Sequence, residues 1–426
     1  MIELIIVLFF IFIFIYTGLQ HPTWFIILYL LSTTKFFGFL DLDDMSGAII
    51  GFNFFFFVLY LIVFCLSIIE NNKIQLRIDV IKIPAFLYFI IIFSHGIIYP
   101  SILDFSSFFQ SIIAGKHFFV FSILFYMMNK KNSIDFNLIK QTVIFLSIII
   151  SLIIFLYDAT GISTPFYERK TMLDGSYQEI IQVYFLTYLS LSVFILMGKY
   201  MHHTEAKSKT IFLILFLLYI LSITGHRAIF LTTLMCFSLF IFVKLFKKIL
   251  TKINKPIIIS SFIIIFFISI GAFIRFYFQV NQVENLDASI TSRLIYDALR
   301  IDLISNRPFF GYGFIHNSSA ITSQLPIDFS SVYKETLTTV DSGYVDLMLR
   351  FGGIGTIFYL FPFAYISFKR IIFNRKYNYE QILLAFFIAQ YFLINIVWSV
   401  FSYEHGLVAL VIAIFLIFFD YSSQEA

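Results

Sequence analysis

The chain has 426 residues, of which 60% are hydrophobic and 13% charged. A water-soluble domain carries about 25% charged residues, so this composition excludes a soluble globule and points to a polytopic membrane protein. The formal net charge of +4 is too small to attract nucleic acid. Cys65 and Cys236 both lie in apolar runs, which argues against a disulfide framework and against a thiolate metal site.

About 20 mostly apolar residues cross about 30 Å of hydrocarbon. Thirteen stretches approach that length: 2–19, 24–40, 48–69, 83–103, 107–128, 138–157, 179–198, 210–225, 227–246, 256–278, 343–368, 380–400 and 404–420. The predicted fold is therefore all-α, a single polytopic transmembrane domain over 1–426 with 12–13 helices. Met1-Ile2-Glu3 lacks the basic start of a signal peptide, so the first stretch reads as a retained span. The stretch 107–128 is interrupted by Lys116 and His117, and two spans meet at Thr224-Gly225-His226-Arg227. No repeat of 20–50 residues is visible, which disfavours a repeat-built transporter.

Short basic loops set the orientation. Segments 70–82, 129–140, 199–209, 244–255 and 369–376 hold 18 of the 29 Lys and Arg residues, and thirteen spans bring all five to one side. That side is expected to be cytoplasmic, with the C-terminus inside and the N-terminus outside. The outer side then carries 11 basic and 18 acidic residues, a net −7, against +11 inside. Only 3 of the 18 inner basic residues are Arg, while 7 of the 11 outer ones are. Arginine's planar, permanently charged fork suits phosphate or carboxylate. The same bias fits either an anion-binding outer face or ordinary bridges to the outer acids.

Two outer loops are too long to be plain connectors. The first, 158–178, contains Phe166-Tyr167-Glu168-Arg169-Lys170 and then Asp174-Gly175. The second, 279–342, is large and reads as partly helical over Ser289–Ser305. Arg293, Asp297 and Arg300 are spaced by 4 and 3 and share one helix face, with Leu294, Ala298, Ile301 and Ile304 on the other. This set fits an internally bridged amphipathic helix, and equally a face turned toward an anionic substrate. Arg307 and Pro308 close the segment before Gly311-Tyr312-Gly313, a turn that permits close backbone approach. Asp341 stands near the N-terminus of the following span, as a helix cap or as a base for a sugar hydroxyl. Arg350, two to three turns further in, needs a wet cavity or a partner such as Asp346. Arg227 opens a helix against the dipole, a local conflict that an anionic ligand would resolve. His316 has no second metal ligand at suitable spacing, and neither a phosphate-cradling glycine loop nor a Ser/His/Asp signature is present.

The order of these features resembles the bacterial O-antigen polymerase and O-antigen ligase superfamily. The residues that carry the resemblance are Thr224-Gly225-His226-Arg227, Ser292-Arg293, Asn306-Arg307-Pro308-Phe309-Phe310-Gly311-Tyr312-Gly313, and Asp341-Ser342-Gly343-Tyr344 followed by Gly352-Gly353-Ile354-Gly355. Arg169 with Gly175 fits a weaker pattern in the first outer loop, and together the motifs cover about 170–355.

The resemblance implies a metal-independent glycosyltransferase without a cofactor, multi-pass in the bacterial cytoplasmic (inner) membrane, with its active site facing outward. The implied donor is a glycan on undecaprenyl diphosphate, and a chain-length regulator protein is an implied partner. Arg227 and Arg293 would hold the diphosphate and Asp341 would act as base. Arg169, His226, Arg300, Arg307, Tyr344 and Arg350 complete the candidate substrate-binding set. Ligases of this kind usually carry His-Asn where this chain has Asp341-Ser342, which favours a repeat-unit polymerase. The alternatives are an O-antigen ligase acting on a lipid A core, and a lipid-linked oligosaccharide flippase or other transporter.

Overall fold

The computed structural model describes residues 2–33, 92–160, 168–170, 180–182, 186–202, 207–224, 227–250, 300–315, 321, 343–373, 379–396, 398–401 and 404–419. Along these the helices are α1 (Ile2–Gln20), α2 (Pro22–Thr33), α3 (Tyr99–Ile102, continuing a π-helical segment Ile92–Ile98), α4 (Phe108–Gly115), α5 (Phe121–Asn129) and α6 (Phe136–Thr160). They continue with α7 (Leu186–His202), α8 (Lys207–Ile223), α9 (Arg227–Leu250), α10 (Gly343–Phe373), α11 (Tyr379–Ile394) and α12 (Glu404–Phe419). A further helical turn spans 300–306. The one departure from helix and loop among the described residues is a two-stranded antiparallel ribbon, β1 (Glu168–Lys170) with β2 (Ile180–Gln182).

This is the all-α bundle of a helical membrane protein, with three adjustments to the predicted spans. The stretch 107–128 is broken into α4, a tight 3-10 turn Lys116–Val120 and α5, because the polar Lys116-His117 pair follows a glycine that must admit a neighbouring ring. Residues 180–182 of the expected span 179–198 belong to β2, and the helix starts only at Leu186. Span 83–103 ends in the π segment and α3, while spans 48–69 and 256–278 lie outside the described residues. Two helices, Phe136–Thr160 and Gly343–Ile371, are long and apolar enough to cross a bilayer by themselves.

Burial follows the logic of a protein in lipid. In α11 and α12 apolar side chains are buried all round, as in Ile382–Ile388 and Leu407–Ile417, and most of α7 is buried in the same way. These three helices form the centre: α7 packs on α6, α8, α9, α11 and α12, and α11 also on α9, α10 and α12. Helices at the periphery turn large apolar groups outward, including Phe145, Phe212, Leu215, Ile357, Phe358 and Phe361. An outward apolar face costs free energy in water and none against acyl chains. Some polar side chains inside the bundle form hydrogen-bonded sets between helices. Ser147 and Ser192 join α6 to α7 at 2.7 Å, the kind of interhelical contact that contributes about 0.6 kcal/mol in a membrane.

Contacts between helix ends sort the molecule into two poles. At one, Asp135 N–H donates to Thr23 Oγ1 at 2.9 Å, Lys140 pairs with Glu380 at 2.6 Å, and Arg370 donates to Gln381 at 3.2 Å. The described residues of the basic segments around Asp135–Lys140 and Arg370 thus share one pole. The opposite pole gathers the first turns of α9 and α10, the C-terminal end of α11, α3 and the segment 300–315.

Candidate functional site

The opposite pole is organised by a backbone junction between 307–315 and α10. Residue Gly352 interrupts α10 with φ 64° and ψ −176°, a region in which only glycine is at ease. The break frees backbone groups on both of its sides, and the loop takes them up. Tyr312 N–H donates to Leu349 O at 2.9 Å and Gly313 N–H to Arg350 O at 2.8 Å; in return Gly353 N–H donates to Pro308 O at 2.7 Å and Ile354 N–H to Phe309 O at 3.2 Å. The approach is so close that a Cβ on Gly311 would stand 2.6 Å from Gly352 N and from Leu349 O. The Gly-rich turn expected from the sequence is therefore a seat for the loop on a broken helix.

The same segment is held from the other flank by the π segment. Phe314 N–H donates to Gly96 O at 2.8 Å, and His95 Nε2 lies 2.5 Å from Phe310 O. The Phe314 ring is fully buried in a slot where Gly96 and Gly115 leave room, since a Cβ on either would overlap it. Its ring stacks on Phe118 and meets Phe351 edge-on. The widened π turn and the two glycines are what let a segment from the third quarter of the chain enter between α3, α4 and α10.

Four of the candidate site residues have described side chains, and each has a distinct setting. Arg350 Nε donates to Asp346 Oδ1 at 2.8 Å, the i,i+4 partner, with Phe118 and Phe314 rings about its guanidinium at 5.9 and 6.0 Å. Asp346 is 1% exposed, and its Oδ2 has no hydrogen-bond partner among the described residues. Tyr344 donates its hydroxyl to Phe392 O at 2.8 Å, tying the first turn of α10 to α11. Arg307 donates from Nη1 to Tyr99 Oη at 3.1 Å and stacks over Phe105 at 4.3 Å and near Tyr312 at 5.8 Å. Burial pushes the Tyr312 phenol up from its ordinary pKa, with Arg307 opposing, and the protonated hydroxyl donates to Leu303 O at 3.0 Å.

Arg300 departs from the helical-wheel expectation. It is buried at 4% exposure, while Ile301 is 55% exposed and Ile304 is buried with Tyr312, Ile315, Ile321 and Leu349. The wheel grouped Ile301 with Ile304 on one apolar face. The inward turn of Arg300 separates them, since Arg300 and Ile304 share the buried side while Ile301 faces outward.

Arg227 is the first residue of α9, and the turns that follow it are fastened to α11. Gln390 donates from Nε2 to Ile229 O at 3.1 Å, Thr232 Oγ1 at 3.1 Å and Thr233 Oγ1 at 2.8 Å, and accepts from Ser190 at 2.8 Å. Beyond α11's last turn, Gly343 sits so close to Asn395 that a Cβ there would overlap its carboxamide. The starts of α9 and α10 are thus both referenced to the C-terminal end of α11. Arg169 is the centre of β1, opposite Ile181. His226, Arg293 and Asp341 lie outside the described residues.

Sequence reasoning missed Tyr99, Phe105 and Gln390. Each sits in an apolar or short linking stretch, and the only local signal was a glutamine inside a predicted span. Among the described residues no group of three or more His, Cys, Asp or Glu is placed to hold a metal ion. A family model described as O-antigen ligase matches residues 212–360, about a third of the chain. That stretch takes in most of α8, all of α9, the 300–315 segment and α10 through its break, and the match supports membership in the O-antigen polymerase/ligase superfamily. No curated protein matches the chain.

Proposed function

We propose, from the premise of a chain in the O-antigen polymerase/ligase superfamily, that this protein is a repeat-unit polymerase. It transfers a growing glycan from undecaprenyl diphosphate to an incoming lipid-linked repeat unit at the outer leaflet of the bacterial cytoplasmic membrane. Members of the superfamily are membrane glycosyltransferase-like enzymes, and the match lends no support to the flippase alternative. The observation that carries the reading is that the matched stretch, 212–360, includes both the turn before Arg227 and the Gly352 break, and so contains those arginine- and glycine-bearing motifs together.

An enzyme on the outer side has no ATP to activate a sugar, so the leaving group must arrive activated. A lipid diphosphate meets that need. Arg227 and Arg293 stabilise the negative charge that grows on the diphosphate as the bond between the sugar's anomeric carbon and its oxygen breaks. Asp341 takes the proton of the acceptor hydroxyl, whose oxygen forms the new bond to that carbon from the opposite face, so the anomeric configuration inverts. Arg169, His226, Arg300, Arg307, Tyr344 and Arg350 belong to the surrounding substrate-binding set. Asp341-Ser342, in place of the His-Asn usual in ligases, favours a polymerase over a ligase.

Deletion of the gene in its native host, with surface glycan and lipid carriers resolved on a gel, separates the readings. Single repeat units, capping the core or stalled on the carrier, are the expected result. Complete chains accumulating on the carrier above a bare core identify a ligase. An unchanged ladder overturns both. Arg227→Ala and Arg293→Ala are each expected to abolish polymer at normal protein level, and wild-type chain lengths in both would overturn the site.

A further inference from the structure

We propose that Gln390 of α11 and Asn395 at its C-terminal end are positioning residues for the transfer step. Together they set the separation between the start of α9, which carries Arg227, and the start of α10, which follows Asp341. The inference rests on the polymerase/ligase reading for the roles of Arg227 and Asp341. It adds two residues that act without touching substrate and lie outside the matched stretch 212–360 and outside every motif of that reading.

The first observation is how α9 is held. Gln390 is fully buried, and its Nε2 converges on Ile229 O, Thr232 Oγ1 and Thr233 Oγ1 in the first two turns of α9. Its Oε1 accepts from Ser190 of α7, so the carboxamide joins three helices. The threonines do not need Gln390 for their own hydroxyl protons. Thr232 donates to Ala228 O and Thr233 to Ile229 O, both at 2.7 Å and both within α9. What the carboxamide adds is register: it fixes the rise and rotation of α9 against α11. Ile229, whose carbonyl it holds, stands two residues after Arg227.

The second observation is that the same helix holds α10. Asn395 is also fully buried, and its N–H continues the last turn of α11 by donating to Tyr391 O at 2.9 Å. Its carboxamide packs against Gly343, the first residue of α10, two residues after Asp341. Five residues separate Gln390 from Asn395, about 7.5 Å along a helix. Both α9 and α10 pack on α11. Between these points α11 is buried at the centre, at Tyr391, Leu393 and Ile394, while α9 and α10 turn Ile241, Phe242, Ile357 and Phe358 outward. The central helix is therefore the fixed member and the two peripheral helices are located by it. Transfer needs the acceptor oxygen about 3–3.5 Å from the anomeric carbon, and a misplacement of about 1 Å can cost about 100-fold in rate. Donor and acceptor groups on two separate helices meet that tolerance when one buried helix sets both.

The test separates position from stability. Full-length protein in nanodiscs is given lipid-linked repeat units extracted from the deletion strain, and polymer formation is measured per folded molecule. Gln390→Met keeps the side-chain length, leaves each threonine its bond within α9 and leaves Ser190 its contact with Thr233, so it should melt close to the wild type. It is expected to lower kcat by about 100-fold with KM unchanged, the mark of an alignment that matters only in the transition state. Gly343→Ala should lower kcat from the other side by pushing α10 off Asn395. Asn395→Ala in the same chain clears the overlap and should restore part of the rate. Wild-type kcat in folded Gln390→Met overturns the proposal. A raised KM with unchanged kcat overturns it too, because Gln390 would then serve binding. A double variant no faster than Gly343→Ala alone does the same, whether or not Gln390→Met folds. Wild-type rates in both Arg227→Ala and Asp341→Asn remove the functional reading itself, and with it this inference, a result distinct from the others.

Discussion

Replacing Gly352 with alanine should detach the 307–315 segment from α10 while leaving the apolar contacts of both in place. Two effects combine at this position. The backbone there (φ 64°, ψ −176°) costs a residue with a Cβ about 1–3 kcal/mol. The new Cβ would also overlap the carbonyl group of Phe309 and the nitrogen of Phe310, backbone atoms that cannot rotate aside. Relief requires the loop to withdraw, which opens the four junction bonds at 2.7, 2.8, 2.9 and 3.2 Å. At about 0.5–1.5 kcal/mol each they are worth about 2–6 kcal/mol together. Taking the loss of local stability as about 3 kcal/mol, amides in 308–314 and 349–354 should exchange with deuterium about 150-fold faster. The measurement is hydrogen exchange by mass spectrometry in nanodiscs, with Gly353→Ala as control. Gly353 has ordinary helical φ, and its Cβ would meet only Pro308 O at 3.3 Å, so that variant should keep wild-type protection. Equal protection in the two variants would refute the claim that the Gly352 break exists to seat the loop.

Two further outcomes test the packing around that seat. Gly115→Ala drives a methyl group into the enclosed Phe314 ring and should cost about 1–3 kcal/mol by overpacking, seen as a lower melting temperature. Phe314→Leu in the same chain should recover part of that loss, and strictly additive losses would count against the slot. Arg350→Leu strands the buried Asp346 carboxylate and should cost about 3–5 kcal/mol. Arg350→Leu combined with Asp346→Asn should be clearly more stable than Arg350→Leu alone, so equal melting temperatures for the two would show that the pair carries no such coupling.

The all-α membrane bundle was legible in the sequence because it depends on a local, additive quantity. Apolar length decides whether a segment can span. Even the Arg350–Asp346 pair was available, since four residues of separation on a helix bring side chains together whatever else the fold does. Only the tertiary structure decided how the pole around the Gly352 break is built. Arg307 meets Tyr99 across 208 positions of chain, His95 meets Phe310 across 215, and Gln390 meets the first turns of α9 across about 160. No helical period relates residues so far apart, and glycines at 96, 115 and 352 gain their meaning from the group that approaches each one. Arg300 shows the same limit within a single turn. A wheel sorts polar from apolar faces within one helix, whereas the side that Arg300 takes is set by the packing of segments distant in sequence.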